Sequence, residues 1–373
     1  MITPDSTPDV AIFLPDLRSG GAERLHVSLA KDFVSRGYSV EFVLRVRTGE
    51  LLTEMVDGIT VHELRAQRVR GSLFPLIGYL RRRRPRSFLA AMWPLTVLAP
   101  IAAALCGYRG RVVVSEHSLP SLSYRDRGAI HNGLMRASMF IGYRLADACV
   151  AVSRGVATDI AALAQLEVGC IEVIHNPAAT GRRYPRDGDS RFLLSAKKPV
   201  ILAVGTLKAV KRLDVLIRAF ARLSGLAGTL VIVGDGPERS RLEQLSRELG
   251  LEESVLFVGH QVDPGPWYAF ADVLVVSSER EGFCNVIVEA MEQGTPVVST
   301  DCPSGPREIL EDGRFGVLVE PGDESALADA IESTLLKPHD RSALIRRAAE
   351  FGLDRASPAY LGLLLPGPDG GLE

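Results

Sequence analysis

The chain has 373 residues, 46% of them hydrophobic, with 43 Lys and Arg against 45 Asp and Glu. This composition excludes a disordered chain, a formal net charge of −2 argues against a nucleic-acid coat protein, and at roughly 150 residues per domain the length suggests two domains with their own cores. The five scattered cysteines (Cys106, Cys149, Cys170, Cys284, Cys302) have no zinc-ligand spacing and read as reduced thiols of a cytosolic protein, and the opening residues lack the apolar core of a secretory signal.

In chain order, a buried strand is expected at Val10–Leu14, followed by Arg18-Ser19-Gly20-Gly21 and a helix with Ala22, Leu25, Leu29 and Phe33 on one face, ended by Gly37. Apolar runs follow at 40–46, 59–64, 87–92, 111–115, 148–152 and 171–174, with helical patterns between most of them. Such alternation predicts a parallel sheet covered on both faces. Residues 88–106 carry no charge and are long enough to span a bilayer, but Pro94, Pro100 and many alanines weaken that reading. A strand at 87–92, a Trp93-Pro94 turn and a helix at 96–106 stopped by Gly107 fit better. The polar stretch 177–199 marks the domain boundary. Alternation then restarts with strands at 200–204, 229–233, 255–258, 273–276, 296–299 and 315–319, and helices at 213–223, 237–249, 285–293, 323–336 and 341–350. The expected architecture is α/β, with two doubly wound Rossmann-like domains, 1–180 and 181–350, facing a cleft, and a tail at 351–373.

Charge is unevenly spread. Residues 64–115 hold ten arginines, no lysine and no acid. A field of one sign attracts phosphates or an anionic bilayer surface, so the stretch from Arg65 to Arg111 is a candidate membrane contact; alternatively Arg81 to Arg84 end a helix in water.

Four loops could carry chemistry. Gly20-Gly21-Ala22-Glu23-Arg24 opens the first helix, where free amides and the helix dipole suit an anion, unless it is only a tight turn. It is not GxGxxG, and no acid stands where a nicotinamide enzyme holds ribose. Gly205-Thr206-Leu207-Lys208-Ala209-Val210-Lys211-Arg212 follows the first strand of the second half; its three cations suit a diphosphate or a solvated helix start, and it is not a P-loop. In Glu281-Gly282-Phe283-Cys284-Asn285-Val286, Asn285 is the expected N-cap of a helix carrying Glu289, which leaves Glu281 in the loop at the strand's carboxyl end. The two carboxylates could face a sugar and a ribose. Asp301-Cys302-Pro303-Ser304-Gly305-Pro306-Arg307-Glu308 supplies a fourth polar loop.

Together these residues resemble the nucleotide-sugar glycosyltransferases of the GT-B fold, specifically retaining family 4. The similarity covers nearly the whole chain: GGAER, Ser115-Glu116-His117-Ser118, Val152-Ser153, Asn176-Pro177, GDGPER from Gly234 to Arg239 and, most specifically, EGFCNVIVEAMEQGTPVVSTDCPSGPREIL from Glu281 to Leu310. The resemblance implies that Glu281 contacts the transferred sugar, Glu289 the donor ribose and Lys211 the diphosphate, with His117 near the reacting sugar and the tail crossing back to the N-terminal domain. Gly20, Gly21, Gly205, Thr206, Lys208, Arg212 and the 282–286 loop would complete donor binding. One position departs from the family, which places an arginine after the phosphate-loop glycine where this chain has Thr206; Lys208 or Arg212 would then supply the missing charge.

The activity so implied is metal-independent transfer of a hexosyl unit, with retention, from a UDP-linked or similar donor to a glycan or lipid-linked acceptor. It takes no cofactor and no nucleic acid, and places the protein in the cytoplasm or on the inner face of its membrane. A UDP-sugar 2-epimerase, a non-catalytic scaffold of the same fold and a nicotinamide enzyme are the alternatives.

Overall fold

The structure is a computed structural model that describes residues 7–18, 20–186, 196–223 and 228–366. Part of the polar stretch assigned to the boundary, 187–195, lies outside the described residues. The chain divides into two compact units: one runs to Pro177 and resumes at Leu353, and the other is Ala178–Gly352.

In the first unit the strands are β1 (Val10–Leu14), β2 (Val40–Leu44), β3 (Ile59–Glu63), β4 (Ser87–Ala91), β5 (Arg111–Glu116), β6 (Ala148–Ala151) and β7 (Ile171–Val173). They form one sheet in the order β3-β2-β1-β4-β5-β6-β7, every pairing parallel. Val10, Ile12 and Leu14 of β1 enter one hydrophobic core and Ala11 and Phe13 the opposite one. The period of two therefore vanishes from the sequence, because both faces are covered. One core is completed by the last helix, Leu353–Leu364, which packs against the helix Gly21–Ser35, β5 and β4 and buries Ala356, Tyr360 and Leu364 in that core. Arg111 donates from Nε to the Leu363 carbonyl at 2.6 Å.

The second unit holds β8 (Val200–Val204), β9 (Thr229–Val233), β10 (Val255–Gly259), β11 (Val273–Val276), β12 (Val297–Thr300) and β13 (Val317–Val319) in the order β10-β9-β8-β11-β12-β13, again all parallel. In both sheets strand order reverses beside the first strand, at β1/β4 and at β8/β11. Such a switch point opens a crevice at the carboxyl ends of the strands.

Residues 88–106 become β4 and the helix Leu95–Cys106, which keeps Pro100 inside it and ends at Gly107 with φ 66°. Among the described residues no helix is long and apolar enough to cross a membrane. Of the ten arginines, Arg83 pairs with Glu41 (3.3 Å), Arg86 with Asp9 (2.9 Å) and Arg65 with Glu63 (3.8 Å), Arg82 and Arg84 donate to the Gly78 and Arg81 carbonyls (3.2 and 3.3 Å), and Arg111 is held as above.

Candidate active site

The second unit has an open pocket beside the carboxyl ends of β8 and β11, lined by Gly205, Thr206, Lys211, Ser277, Ser278, Glu281 and Val286 among others. Two loops close it and are laced together: Ser277 Oγ donates to the Lys211 carbonyl (2.8 Å) and the Glu279 amide to the Val210 carbonyl (2.9 Å). Lys211 Nζ then meets Glu281 Oε1 at 2.7 Å, and Ser278 Oγ donates to that same oxygen at 2.5 Å. Neither of these bonds uses Oε2. Burial opposes the charge of Lys211, but the adjoining Glu281 carboxylate outweighs it and holds the ammonium above the ordinary lysine value.

GDGPER has a packing explanation. Gly205 itself has φ 149°, and a Cβ on Gly234 would stand 2.0 Å from the Gly205 carbonyl oxygen, so the loop after β9 can lie against the phosphate loop only without a side chain. Leu207 N donates to the Asp235 carbonyl (2.9 Å) and Glu238 N to the Leu207 carbonyl (3.0 Å), fixing the two loops to each other. Thr206 is exposed at the pocket. Lys208 is exposed too but does not line it, and Arg212 pairs with Asp214 at 3.2 Å.

Beyond Glu281 the chain differs from expectation in one detail. Cys284, not Asn285, stands at the N-cap of the helix Asn285–Glu292, in a left-handed conformation (φ 79°) without a side-chain cap, and Asn285 is the first helical residue. An N-cap asparagine needs an extended backbone. Here the chain is forced into a tighter turn, because Gly305 approaches so closely that a Cβ there would stand 2.1 Å from the Phe283 carbonyl oxygen, while Ser304 Oγ donates to the Gly282 carbonyl at 2.8 Å. Phe283 and Cys284 are buried, and Phe283 packs edge-on against Phe351. Their side chains shape the loop, whereas Val286 reaches the pocket. Burial pushes the Cys284 thiol well up and the Cys302 thiol to about 12, so neither is a nucleophile at neutral pH. Glu289, half-buried on the helix, accepts from the Tyr268 hydroxyl at 2.5 Å. Tyr268 lies 21 residues upstream on the short helix Gly265–Phe270, and no sequence pattern ties it to Glu289.

Gly20, Gly21 and His117 belong to the first unit. Gly20 caps the helix Gly21–Ser35 with an ordinary extended backbone (φ −74°, ψ 161°), so no strained turn requires glycine there; a Cβ would meet only the end of the Glu23 side chain. His117 follows β5. Its Nε2 lies 3.0 Å from Ser115 Oγ, which is 2.8 Å from the Tyr360 hydroxyl of the last helix. The His26 ring packs edge-on at 5.1 Å, with Nδ1 2.7 Å from the Ala22 carbonyl. Burial pushes His26 down to about 4, and burial together with His26 holds His117 well below the ordinary imidazole value, so both are neutral near pH 7. Glu116, buried beneath them, accepts from the amides of Trp93 (2.8 Å) and His117 (3.1 Å) and from Ser118 Oγ (3.2 Å).

Comparison with known proteins agrees with this anatomy. The family "Glycosyltransferase Family 4" matches residues 19–182 and "Glycosyl transferases group 1" matches 187–351. The lipopolysaccharide core biosynthesis glycosyltransferase LpsE of Rhizobium meliloti is 33% identical over 363 residues, covering 94% of this chain and 97% of its own. An N-acetylgalactosaminyltransferase of Campylobacter jejuni acting on a diphospho-undecaprenol-linked sugar is 27% identical over 91% of this chain and 93% of its own. Among solved structures, Anabaena HepE in complex with UDP and glucose superposes with a TM-score of 0.81 at 23% identity, over 96% of this chain and 100% of that one. The apo lipopolysaccharide outer core galactosyltransferase WaaB gives 0.73 at 21%, over 95% and 98%. Two parallel-sheet units, a pocket at the switch point of the second and full-length likeness to characterised transferases lead to one conclusion: this chain is a glycosyltransferase of family 4 with the GT-B fold.

Proposed function

We propose that the protein transfers a hexosyl unit, with retention and without a metal ion, from a UDP-sugar to a hydroxyl of a glycan or lipid-linked glycan in polysaccharide or lipopolysaccharide assembly. The observation that carries the reading is the Lys211–Glu281 pair in the pocket at the end of β8. The ammonium keeps its charge at every working pH and meets the negative charge that grows on the leaving diphosphate, a task a divalent ion performs in other transferases. The Glu281 oxygen that takes neither hydrogen bond is left for a hydroxyl of the transferred sugar. Glu289, held by Tyr268, takes the donor ribose. His117, neutral and oriented by Ser115, offers a ring nitrogen to the sugar without adding charge. The leaving phosphate accepts the acceptor's proton on the face from which the acceptor attacks, so no protein nucleophile is required. The UDP complexes of the HepE structures and the lipopolysaccharide assignment of the LpsE relative support the donor and the pathway class.

The arginine stretch supports action at the inner face of the cytoplasmic membrane, where anionic headgroups attract cations and a lipid-linked acceptor is at hand. Incubation with a panel of nucleotide sugars and a polyprenyl-linked acceptor, followed by NMR of the anomeric proton, tests the assignment. Retained α-configuration in a transferred product supports it. An isomerised sugar formed from donor alone would instead identify an epimerase, and tight donor binding without turnover a scaffold.

A further inference from the structure

Three side chains of the first unit form a relay that ends on His117. Tyr360, on the helix Leu353–Leu364, and Ser115, near the end of β5, are both fully buried. The Tyr360 hydroxyl lies 2.8 Å from Ser115 Oγ, which lies 3.0 Å from His117 Nε2. The phenol, the alcohol and the neutral imidazole each bring one proton to these two bonds, so one proton is left over in every arrangement. If His117 and Tyr360 both donate to Ser115, the serine proton is stranded. If the relay runs from His117 through Ser115 to Tyr360, the phenol proton is stranded instead. Neither hydroxyl has another acceptor among the described residues, and burial pushes the phenol up to about 12, so it keeps its proton.

Only the opposite direction, from Tyr360 through Ser115 to Nε2, satisfies both buried hydroxyls, and it leaves the surplus proton on His117 Nδ1. That atom has no hydrogen-bond partner among the described residues, but it belongs to a half-buried ring that packs edge-on against His26 at 5.1 Å. His26 is itself fixed: its Nδ1 is 2.7 Å from the Ala22 carbonyl, which can only accept, so its Nε2 is a bare and buried lone pair. A proton on His117 Nδ1 brings partial positive charge to a ring pair that already holds this lone pair.

We infer that Tyr360, acting through Ser115, holds His117 as the tautomer protonated at Nδ1, so that the ring meets the transferred sugar as a hydrogen-bond donor. The two tautomers recognise opposite groups, since Nδ1–H donates to a sugar oxygen whereas a bare Nδ1 needs a hydroxyl proton. Tyr360 and Ser115 are positioning residues: a partner on one ring nitrogen decides the role of the other. The inference rests on the placement of His117 at the reacting sugar proposed above, and it gives the last helix a part in the chemistry besides closing a core.

The test joins a spectrum that needs no substrate to a mutant cycle. In protein carrying isotope-labelled histidine, long-range proton–nitrogen correlation tells Nδ1–H from Nε2–H, and the His117 signals are those missing from His117→Asn. The wild type is expected to show Nδ1–H at His117, and Tyr360→Phe, which keeps the packed ring, to show Nε2–H or a mixture. Turnover, read as nucleotide release from UDP-glucose or the panel sugar that replaces it, should fall about tenfold in Tyr360→Phe and in Ser115→Ala, the equivalent of one neutral hydrogen bond. The double variant should fall no further, because each substitution breaks the same relay. Ser115→Ala carries the test alone if the core rejects Tyr360→Phe. With His117→Ala impaired, a wild-type Nε2–H spectrum, an unchanged spectrum and kcat in the single variants, or additive losses in the double variant overturns the inference and leaves His117 at the sugar. Full turnover by His117→Ala takes His117 out of the reaction and overturns that placement and the inference together.

Discussion

Replacing Lys211 with methionine keeps the length of the side chain and removes its charge, with two separable consequences. The first is structural: Glu281 loses the partner at 2.7 Å and keeps only Ser278 on Oε1. Breaking one side of a fully buried pair costs about 3–5 kcal/mol. Here 26% of the lysine and 11% of the glutamate side chain remain exposed, so the loss belongs at or below the lower limit of that range. The second is catalytic. One preorganised electrostatic contact to developing charge contributes about 10² to 10³ in kcat, or roughly 3–4 kcal/mol. A four-way comparison separates them. Lys211→Met alone should lose both stability and turnover, and adding Glu281→Gln should recover stability by removing the stranded carboxylate. Turnover is the discriminating quantity, measured as nucleotide release at saturating donor and acceptor. If Lys211 acts on the diphosphate, the double variant falls about a hundredfold or more below Glu281→Gln. Equal kcat for the double variant and Glu281→Gln would mean that Lys211 only neutralises Glu281, and the electrostatic account of the pocket would be wrong.

Glu281→Gln should depress transfer while leaving affinity for free UDP nearly intact, whereas Glu289→Gln, and in part Tyr268→Phe, should weaken UDP binding in calorimetry; equal losses at Glu281 and Glu289 would contradict the division of roles. Lys208→Ala should impair turnover nearly as much as loss of Lys211, with Thr206→Arg restoring part of it, provided the exposed Lys208 swings to the diphosphate; a silent Lys208→Ala leaves the backbone amides and Lys211 as the whole donor contact. Burial raises Glu116 from 4.5 to about 7, so the folded protein keeps a proton that the unfolded chain has released in that window. Stability from this group therefore falls as pH rises from about 4.5 to about 7 and is level above, a change of order 3 kcal/mol; urea unfolding of Glu116→Gln against the wild type should show the difference, and parallel pH curves would place the carboxyl in an ordinary environment. Treatment with EDTA should leave turnover unchanged, and activity restored only by added divalent ions would assign the diphosphate to a metal instead of Lys211.

The strands were legible because parallel sheets covered on both faces spell continuous apolar words, as Val10 to Leu14 does while dividing its side chains between two cores. Strand ends ran long where the chain stays extended past the ladder: Arg45 and Val46 still donate to the Leu14 and Pro15 carbonyls, although β2 stops at Leu44. The N-cap stands at Cys284 and not at Asn285 because the local preference of asparagine says nothing of Gly305, which arrives 20 residues later and compresses the loop. Links such as Tyr268 to Glu289, or Tyr360 through Ser115 to His117 across 245 residues, have no periodic signature. Of the site, Lys211 and Glu281 are legible only as separate candidates, and both their direct pairing and the reason for GDGPER, a backbone approach at Gly234, belong to three dimensions alone.

The return of the last helix to the first unit has a consequence for how the protein is made. Ala356, Tyr360 and Leu364 complete the core that begins with Val10, and the Leu363 carbonyl takes the Arg111 side chain. The unit translated first is thus the unit closed last. While the second unit, Ala178–Gly352, leaves the ribosome with β8 to β13 and can finish on its own, the first waits with an apolar trough between its first helix, β4 and β5 until residues 353–364 emerge. A nascent chain halted anywhere before Leu353 would present that trough to chaperones, and the order in which the units mature is the reverse of the order in which they are encoded.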